Sequence, residues 1–259
     1  MEPVTVLLAL ASGTLIGFVL GLVGGGGSIL AVPLLVYVVG VASPHAAIGT
    51  AAVAVALNAA AGLADHARAG TVKWNWAIVF AAAGVLGAAL GAEAGKAIDG
   101  AALLAAFGGL MVVVGALMLR GRKGGGDPDV HLDRSTARHL LPRLAAAGLA
   151  VGLLAGFFGI GGGFLIVPGL IAATAMPIGM AVGTSLVVVT ALGATTAGSY
   201  ALSGYVDWGL VAWLVAGGIA GSVLGRLAGK RLAARKNLLE RGFAAVVIAV
   251  GAFVVATSL

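Results

Sequence analysis

The chain has 259 residues, of which 61% are hydrophobic and only 9% charged, with a formal net charge of +6. A soluble domain carries about 25% charged residues; a mean hydropathy of +1.13 and apolar runs long enough to cross about 30 Å of hydrocarbon therefore exclude a water-soluble globule and point to an all-α polytopic membrane protein. Short alternating segments, the mark of a β-barrel, are missing, and the lack of cysteine rules out disulfides, thiolate metal sites and thiol catalysis.

The N-terminus, MEPVTVLLAL, has no basic region, so no cleaved signal peptide is expected. Five apolar segments follow in the first half, at about 4–23, 28–42, 46–67, 75–97 and 101–119. The run 120–143, RGRKGGGDPDVHLDRSTARHLLPR, is the only long polar stretch. Five more segments follow at about 144–158, 162–175, 178–202, 208–229 and 241–258. The chain thus divides into a first transmembrane repeat (1–119), a linker (120–143) and a second repeat (144–259). Segments 28–42, 144–158 and 162–175 are the short ones. As helices of about 15 residues they reach roughly 22 Å, less than the hydrocarbon core.

The halves match in detail. At an offset of 135, Gly21, Gly24, Gly26, Gly27, Leu30, Val32 and Pro33 face Gly156, Gly159, Gly161, Gly162, Leu165, Val167 and Pro168. At an offset of 134, Gly49-Thr50, Gly70 and Trp74 face Gly183-Thr184, Gly204 and Trp208. Gly84, Gly87, Gly91, Gly95 and Lys96 face Gly218, Gly221, Gly225, Gly229 and Lys230 at the same offset; these two runs read as helix-packing glycines. Basic residues cluster in loops, which suits membrane orientation better than nucleic-acid binding. The linker (Arg120, Arg122, Lys123, Arg134, Arg138, Arg143) and the last loop (Lys230, Arg231, Arg235, Lys236, Arg241) are expected in the cytoplasm. In the first half the basic residues, Arg68 and Lys73, sit one loop earlier, so equivalent loops face opposite sides. The reading is two inverted repeats of about five helical segments each, with both termini outside. Three crossings plus a re-entrant pair per half fits the same charges.

Each half places glycines and then a proline in an apolar run: GLVGGGGSILAVP at 21–33 and GFFGIGGGFLIVP at 156–168. Proline removes a backbone donor and disfavours helix just before it, and glycine admits positive φ. Broken helices are expected there, each followed by a helix that starts deep in the protein. Irregular backbone at that depth is tolerated where it lines a cavity, and converging N–H groups suit an anion. Paired Gly/Pro-interrupted segments in two halves point to a transporter's binding site. The candidate ligand groups are the backbones of Gly24, Gly25, Gly26, Gly27, Gly161, Gly162 and Gly163, with Ser28, Thr50, Asn58, Thr184 and Ser185. For the hydroxyls and the amide, helix–helix hydrogen bonding is the competing reading. Asp65, His66 and Arg68 close the third segment; Arg68 reads as a snorkelling anchor, while His66 and His45 read as solvated. Trp74, Trp76, Trp208 and Trp213 read as an interfacial belt. No nucleotide motif is present: neither glycine run ends in Gly-Lys-Ser/Thr.

The order Gly-x-x-Gly-x-Gly-Gly near the start of both halves, each followed by proline, then Gly49-Thr50 and Gly183-Thr184-Ser185, resembles the TauE/SafE family, also called the sulfite exporter or TSUP family. The resemblance spans nearly the whole chain outside the linker. It implies a bacterial inner-membrane secondary transporter of small sulfur-containing anions such as sulfite, sulfoacetate and other organosulfonates, working by alternating access. No cofactor or metal is expected, and a proton or sodium ion is the candidate coupling ion. A passive anion channel is the alternative, disfavoured by the scarcity of intramembrane Arg and Lys. An enzyme is disfavoured because no histidine base or carboxylate dyad lies at membrane depth.

Overall fold

The computed structural model describes residues 2–23, 25–120, 134–161, 163–231 and 236–258. Every regular element among them is helical, as expected for a chain that must satisfy its own backbone in hydrocarbon. The order is α1 (Pro3–Val23), a 3-10 turn (Gly25–Leu30), α2 (Ala31–Pro33), a π-helix (Leu34–Val39), α3 (Pro44–Arg68), α4 (Trp74–Lys96), α5 (Gly100–Leu119), α6 (Arg134–Phe158), α7 (Gly163–Thr174), α8 (Ile178–Leu202), α9 (Trp208–Arg231) and α10 (Lys236–Ser258). Among the described residues, eight helices are long and apolar enough to cross a membrane, and Gly26–Val39 and Gly163–Thr174 are shorter apolar stretches.

Local chemistry sets several of these boundaries. Ser43 caps α3 by accepting from the Ala46 N–H, with Pro44 in the first turn, where its missing donor costs nothing. The Asp99 carboxylate accepts from the N–H groups of Ala101 and Ala102 to start α5. Gly40, at φ 83°, ends the π-helix.

The expectation of a short 144–158 segment is corrected. Helix α6 continues back through Pro142 to Arg134, and its apolar span runs Leu140–Phe158. Arg143 did not mark an end, because a basic side chain at a helix terminus can reach the interface. The linker of 120–143 therefore contributes its last residues to a helix, and residues 121–133 lie outside those described. Trp74 and Trp208 are exposed at the starts of α4 and α9, but Trp76 is buried in the core rather than in a belt.

Helix α1 packs along α9, α4 along α6, α5 along α10, and α3 against α8. The first two contacts are the same contact made twice. A Cβ placed on Gly13, Gly17 or Gly21 would come within 2.4, 2.0 and 2.4 Å of the carbonyl oxygens of Leu214, Gly218 and Ser222. On Gly148, Gly152 or Gly156 it would come within 2.5, 2.1 and 2.1 Å of those of Phe80, Gly84 and Ala88. The opposing face of each pair is small as well: Gly87, Gly91 and Gly95 meet the carbonyls of Leu149, Leu153 and Phe157, while Gly221 and Gly225 meet those of Thr14 and Phe18. These runs pack helices together. Apolar lipid supplies no hydrophobic drive between helices, so backbone-to-backbone proximity supplies the dispersion contact instead.

Contact order along each pair gives chain direction. Residue numbers rise together in α1 and α9, and Gly49 against Tyr205 with Asn58 against Gly218 makes α3 parallel to α9. Helices α1 and α3 therefore run the same way, and the chain between Val23 and Pro44 must travel back along the bundle. In the same manner α6 and α8 are both parallel to α4, so the chain through α7 also returns. Each half makes five passes along the bundle. Helices α5 and α10 are opposed, with Gly108 on Gly251 and Gly115 on Ala244, as are α3 and α8, with Gly193 on Ala56 and Gly62 on Leu186. One end of the bundle, the linker face, holds the end of α5 and the start of α6. The other, the terminal face, holds the start of α1 and the end of α10.

Candidate functional site

The two glycine motifs differ in how they break the helix. In the second, Gly159 and Gly161 take φ of 66° and 61°, a region that suits glycine, and α7 starts directly after. Pro168 does not interrupt α7 but sits inside it. In the first, residues 25–30 tighten into a 3-10 turn, a single α-turn carries Pro33, and the chain loosens into a π-helix. No glycine of the described part of this motif has positive φ. The second motif is thus a non-helical turn followed by a helix, as the sequence suggested; the first is not, since it runs on as 3-10, α and π turns. Gly24 and Gly162 lie outside the described residues, and Gly25 belongs to the 3-10 turn.

The motifs flank the crossing of α3 and α8. A Cβ on Gly161 would lie 3.2 Å from Val55, 3.7 Å from Val189 and 3.8 Å from the Gly193 backbone. Gly27 packs against the backbone of Ile16 and Leu20 on α1. Gly26, Gly27, Gly161 and Gly163 are buried, and Ser28 is fully buried. The bundle centre is lined by small apolar groups and glycine backbone.

The hydroxyls predicted to converge on one anion do not converge. Thr50 accepts a 3.0 Å hydrogen bond from the Asp207 N–H; Thr184 accepts one of 3.0 Å from the Lys73 N–H. The two bonds are equivalents at the repeat offset, and each ties the loop after one half's third helix to the third helix of the other half. Because α3 and α8 are antiparallel, with Ala56 beside Gly193 and Gly62 beside Leu186, Thr50 and Thr184 lie about 21 Å apart along the bundle. The Ser185 hydroxyl donates to the Val182 carbonyl at 2.8 Å. Asn58 is buried against Gly218, and its Oδ1 has no partner. Thr190, Thr195 and Thr196 donate to carbonyls four residues back, so the hydroxyl-lined stretch of α8 serves its own helix.

A small cleft of about 20 Å³ lies at the linker face, lined by Leu20, Gly21, Gly62, His66, Leu186, Ser222 and Arg226. Arg226, on α9, pairs with Asp65 Oδ2 of α3, and the other carboxylate oxygen of Asp65 lies 3.5 Å from Arg68. The Arg226 side chain is 29% exposed and that of Arg68 81%. The Thr71 hydroxyl donates to the His66 carbonyl at 3.1 Å, so the 2.9 Å contact between that hydroxyl and His66 Nδ1 has the ring N–H as donor. Nε2 is then the ring atom free to change protonation. His66 is thus half-buried in a cleft wall rather than solvated. His45 stacks 5.4 Å from the Tyr205 ring with Nε2 buried and unpartnered, also unlike a loop histidine.

The terminal face has an opening too, beside His45, Asp99 and Ser258, but it lies away from the positions equivalent to the cleft. Leu20, Gly21, Gly62, His66, Leu186, Ser222 and Arg226 correspond to Ala155, Gly156, Thr196, Tyr200, Ala52, Ala88 and Ala92, all of them buried. Tyr200 is fully buried there, and its hydroxyl has no partner. Sequence reasoning missed Arg226. The available signal was a basic residue inside a span, where an ionisable group is costly and marks function by default.

Among the described residues, eight helices long and apolar enough to span, with two shorter apolar stretches between them, define a multi-pass membrane protein. Residues 9–254 match the sequence model of the family described as Sulfite exporter TauE/SafE, and the chain belongs to that family. It is 49% identical over 251 residues to a probable membrane transporter protein of Xylella fastidiosa, covering 97% of this chain and 95% of that one. It is 27% identical to the probable membrane transporter protein YunE of Bacillus subtilis, covering 88% and 89% of the two chains. A probable membrane transporter protein of Haemophilus influenzae is also 27% identical, over 77% of this chain and 75% of its own. The family and these relatives are transporters, not enzymes. No solved structure matches the chain.

Proposed function

We propose that the protein is a secondary transporter of small sulfur-containing anions, sulfite or organosulfonates, in the bacterial inner membrane. It works by alternating access between two inverted repeats, with a proton or sodium gradient as the candidate drive. The observation that carries this reading is the contrast between related positions: His66 and Arg226 are partly exposed in a cleft at the linker face, while their counterparts Tyr200 and Ala92 are buried toward the terminal face. Two halves that exchange these arrangements would expose one central site to each side in turn. The opposed directions of α5 and α10 and of α3 and α8 support the inversion. The family's description as a sulfite exporter supports the sulfur anion. The glycine backbones at Gly26, Gly27, Gly161 and Gly163 remain the proposed centre, with the linker face in the cytoplasm. Flux of sulfite, thiosulfate, sulfoacetate and taurine into proteoliposomes, recorded together with current, tests it. Saturable flux of at least one is expected; unsaturable current would establish a channel, and no flux of any would refute the substrate class.

A further inference from the structure

We propose that Arg226 is an anion-binding residue of the linker-face cleft and that Asp65 is its built-in competitor, holding the guanidinium until substrate displaces it. This rests on the anion-transport reading above. Three observations support it. First, Arg226 lies in a cleft wall with its charge answered by Asp65, and that same carboxylate has a second, exposed partner in Arg68. Asp65 can therefore let go of one guanidinium without becoming unpaired. Second, the fold does not need an arginine here: at the equivalent places of the other half Ala92 stands for Arg226 and Ser199 for Asp65, and the tie between the helices is made instead by Ser199 with the Glu93–Lys96 pair. Third, the local sum of Arg226, Arg68 and Asp65 is one net positive charge, which suits a monoanion, and the planar guanidinium fork matches the oxygens of a sulfonate, sulfite or carboxylate.

The cleft itself holds only about 20 Å³, so the anion seats at its mouth, where the Arg226 side chain is 29% exposed. Gly62 contributes no side chain to its wall, and a Cβ there would meet only Leu186, at 3.7 Å. Ser222 lies one turn before Arg226 on the same face of α9. Its hydroxyl donates to the Ile219 carbonyl at 2.9 Å, which leaves rotation of that hydroxyl as the way it could donate to an anion. Leu20, on the far wall, touches Gly27 of the first motif, so an anion held by Arg226 sits next to the route toward the glycine centre.

The test uses the purified full-length chain and titrates it with sulfite, sulfoacetate, acetate and inorganic phosphate. For whichever anion the wild type binds, Arg226→Gln should weaken binding by about tenfold or more, whereas Asp65→Asn should tighten it, because the competitor is gone. A purely structural ion pair predicts that both substitutions impair binding together, and that result would overturn the proposal, as would wild-type affinity in Arg226→Gln. Arg226→Lys and Arg226→Met separate charge from packing: Lys should retain part of the affinity and Met should not. A further measurement does not depend on tolerance of changes at Arg226. In this cysteine-free chain, Gly62→Cys should react with a small water-soluble thiol reagent and be slowed by the bound anion; no reaction, or no slowing, would also overturn the proposal. Binding of acetate or phosphate in place of every sulfur anion, with Arg226 still required, would refute the sulfur reading and keep the cleft as the site. A wild type that binds none of the four refutes both.

Discussion

Replacing Thr50 and Thr184 by valine should cost stability and spare anion affinity. Valine keeps the shape of threonine and deletes the acceptor, which leaves the N–H of Asp207 or Lys73 without its 3.0 Å partner. A donor stranded fully out of water would cost about 1–3 kcal/mol. Asp207 is exposed and Lys73 half-buried, so water can partly replace the hydroxyl, and the low end, about 1 kcal/mol per site, is the working value. With the two sites about 21 Å apart along the bundle and no shared partner, their effects should add, giving about 2 kcal/mol for the double variant. Unfolding free energy in mixed micelles titrated with SDS measures this, and isothermal titration with the best-bound anion measures affinity on the same samples. Affinity should change less than about threefold, under 1 kcal/mol. If both single variants unfold like the wild type and lose anion affinity about tenfold, the hydroxyls are ligands and the loop-tie account fails.

Gly152→Ala, with its Cβ 2.1 Å from the Gly84 carbonyl, should destabilise by about 1–3 kcal/mol or prevent folding. Gly109→Ala, with nothing within 4 Å, should stabilise by up to about 1 kcal/mol; equal effects in the same SDS titration would show that the helices do not approach as described. Gly161→Ala forces a left-handed residue at φ 61° and should cost about 1–2 kcal/mol, an outcome that unchanged stability would contradict. Tyr200→Phe removes an unpartnered buried hydroxyl and should leave stability equal or higher; a loss above about 1 kcal/mol would mean that the hydroxyl is bonded. A cysteine at Ser135 should resist a membrane-impermeant thiol reagent in intact cells, and its labelling would place the linker outside.

Much of the fold was legible because its signals are local. Apolar run lengths gave most of the helices, and the paired Gly and Pro at an offset of 135 and Gly and Trp at 134 suggested two halves. The glycine runs of α4 and α9 read correctly as packing surfaces, since a small residue every third or fourth position has few other uses in a membrane helix. What failed needed partners. Thr50 and Asn58 share a helical face in the sequence, but only the structure shows that Thr50 reaches across to a loop of the other half. Pro168 reads as a breaker, yet α7 continues through it, since a proline inside a helix can kink it without ending it. Arg226 sits close enough to a basic loop to be taken for part of it. Its role as a cleft wall depends on Asp65, which is far away along the chain.

The pairing of α1 with α9 has a consequence for biosynthesis. The first helix leaves the ribosome long before its partner, Trp208–Arg231, exists. Until then its Gly13, Gly17 and Gly21 face has only lipid or the insertion machinery to lie against. Helix α4 waits less, since α6 is the first helix of the second half. Assembly must therefore begin in the middle, with α4 and α6 meeting across the linker, and close last at the ends. A nascent chain stalled before α9 should be membrane-inserted but open to protease, and two separately made halves should find each other, because each carries the missing wall of the other.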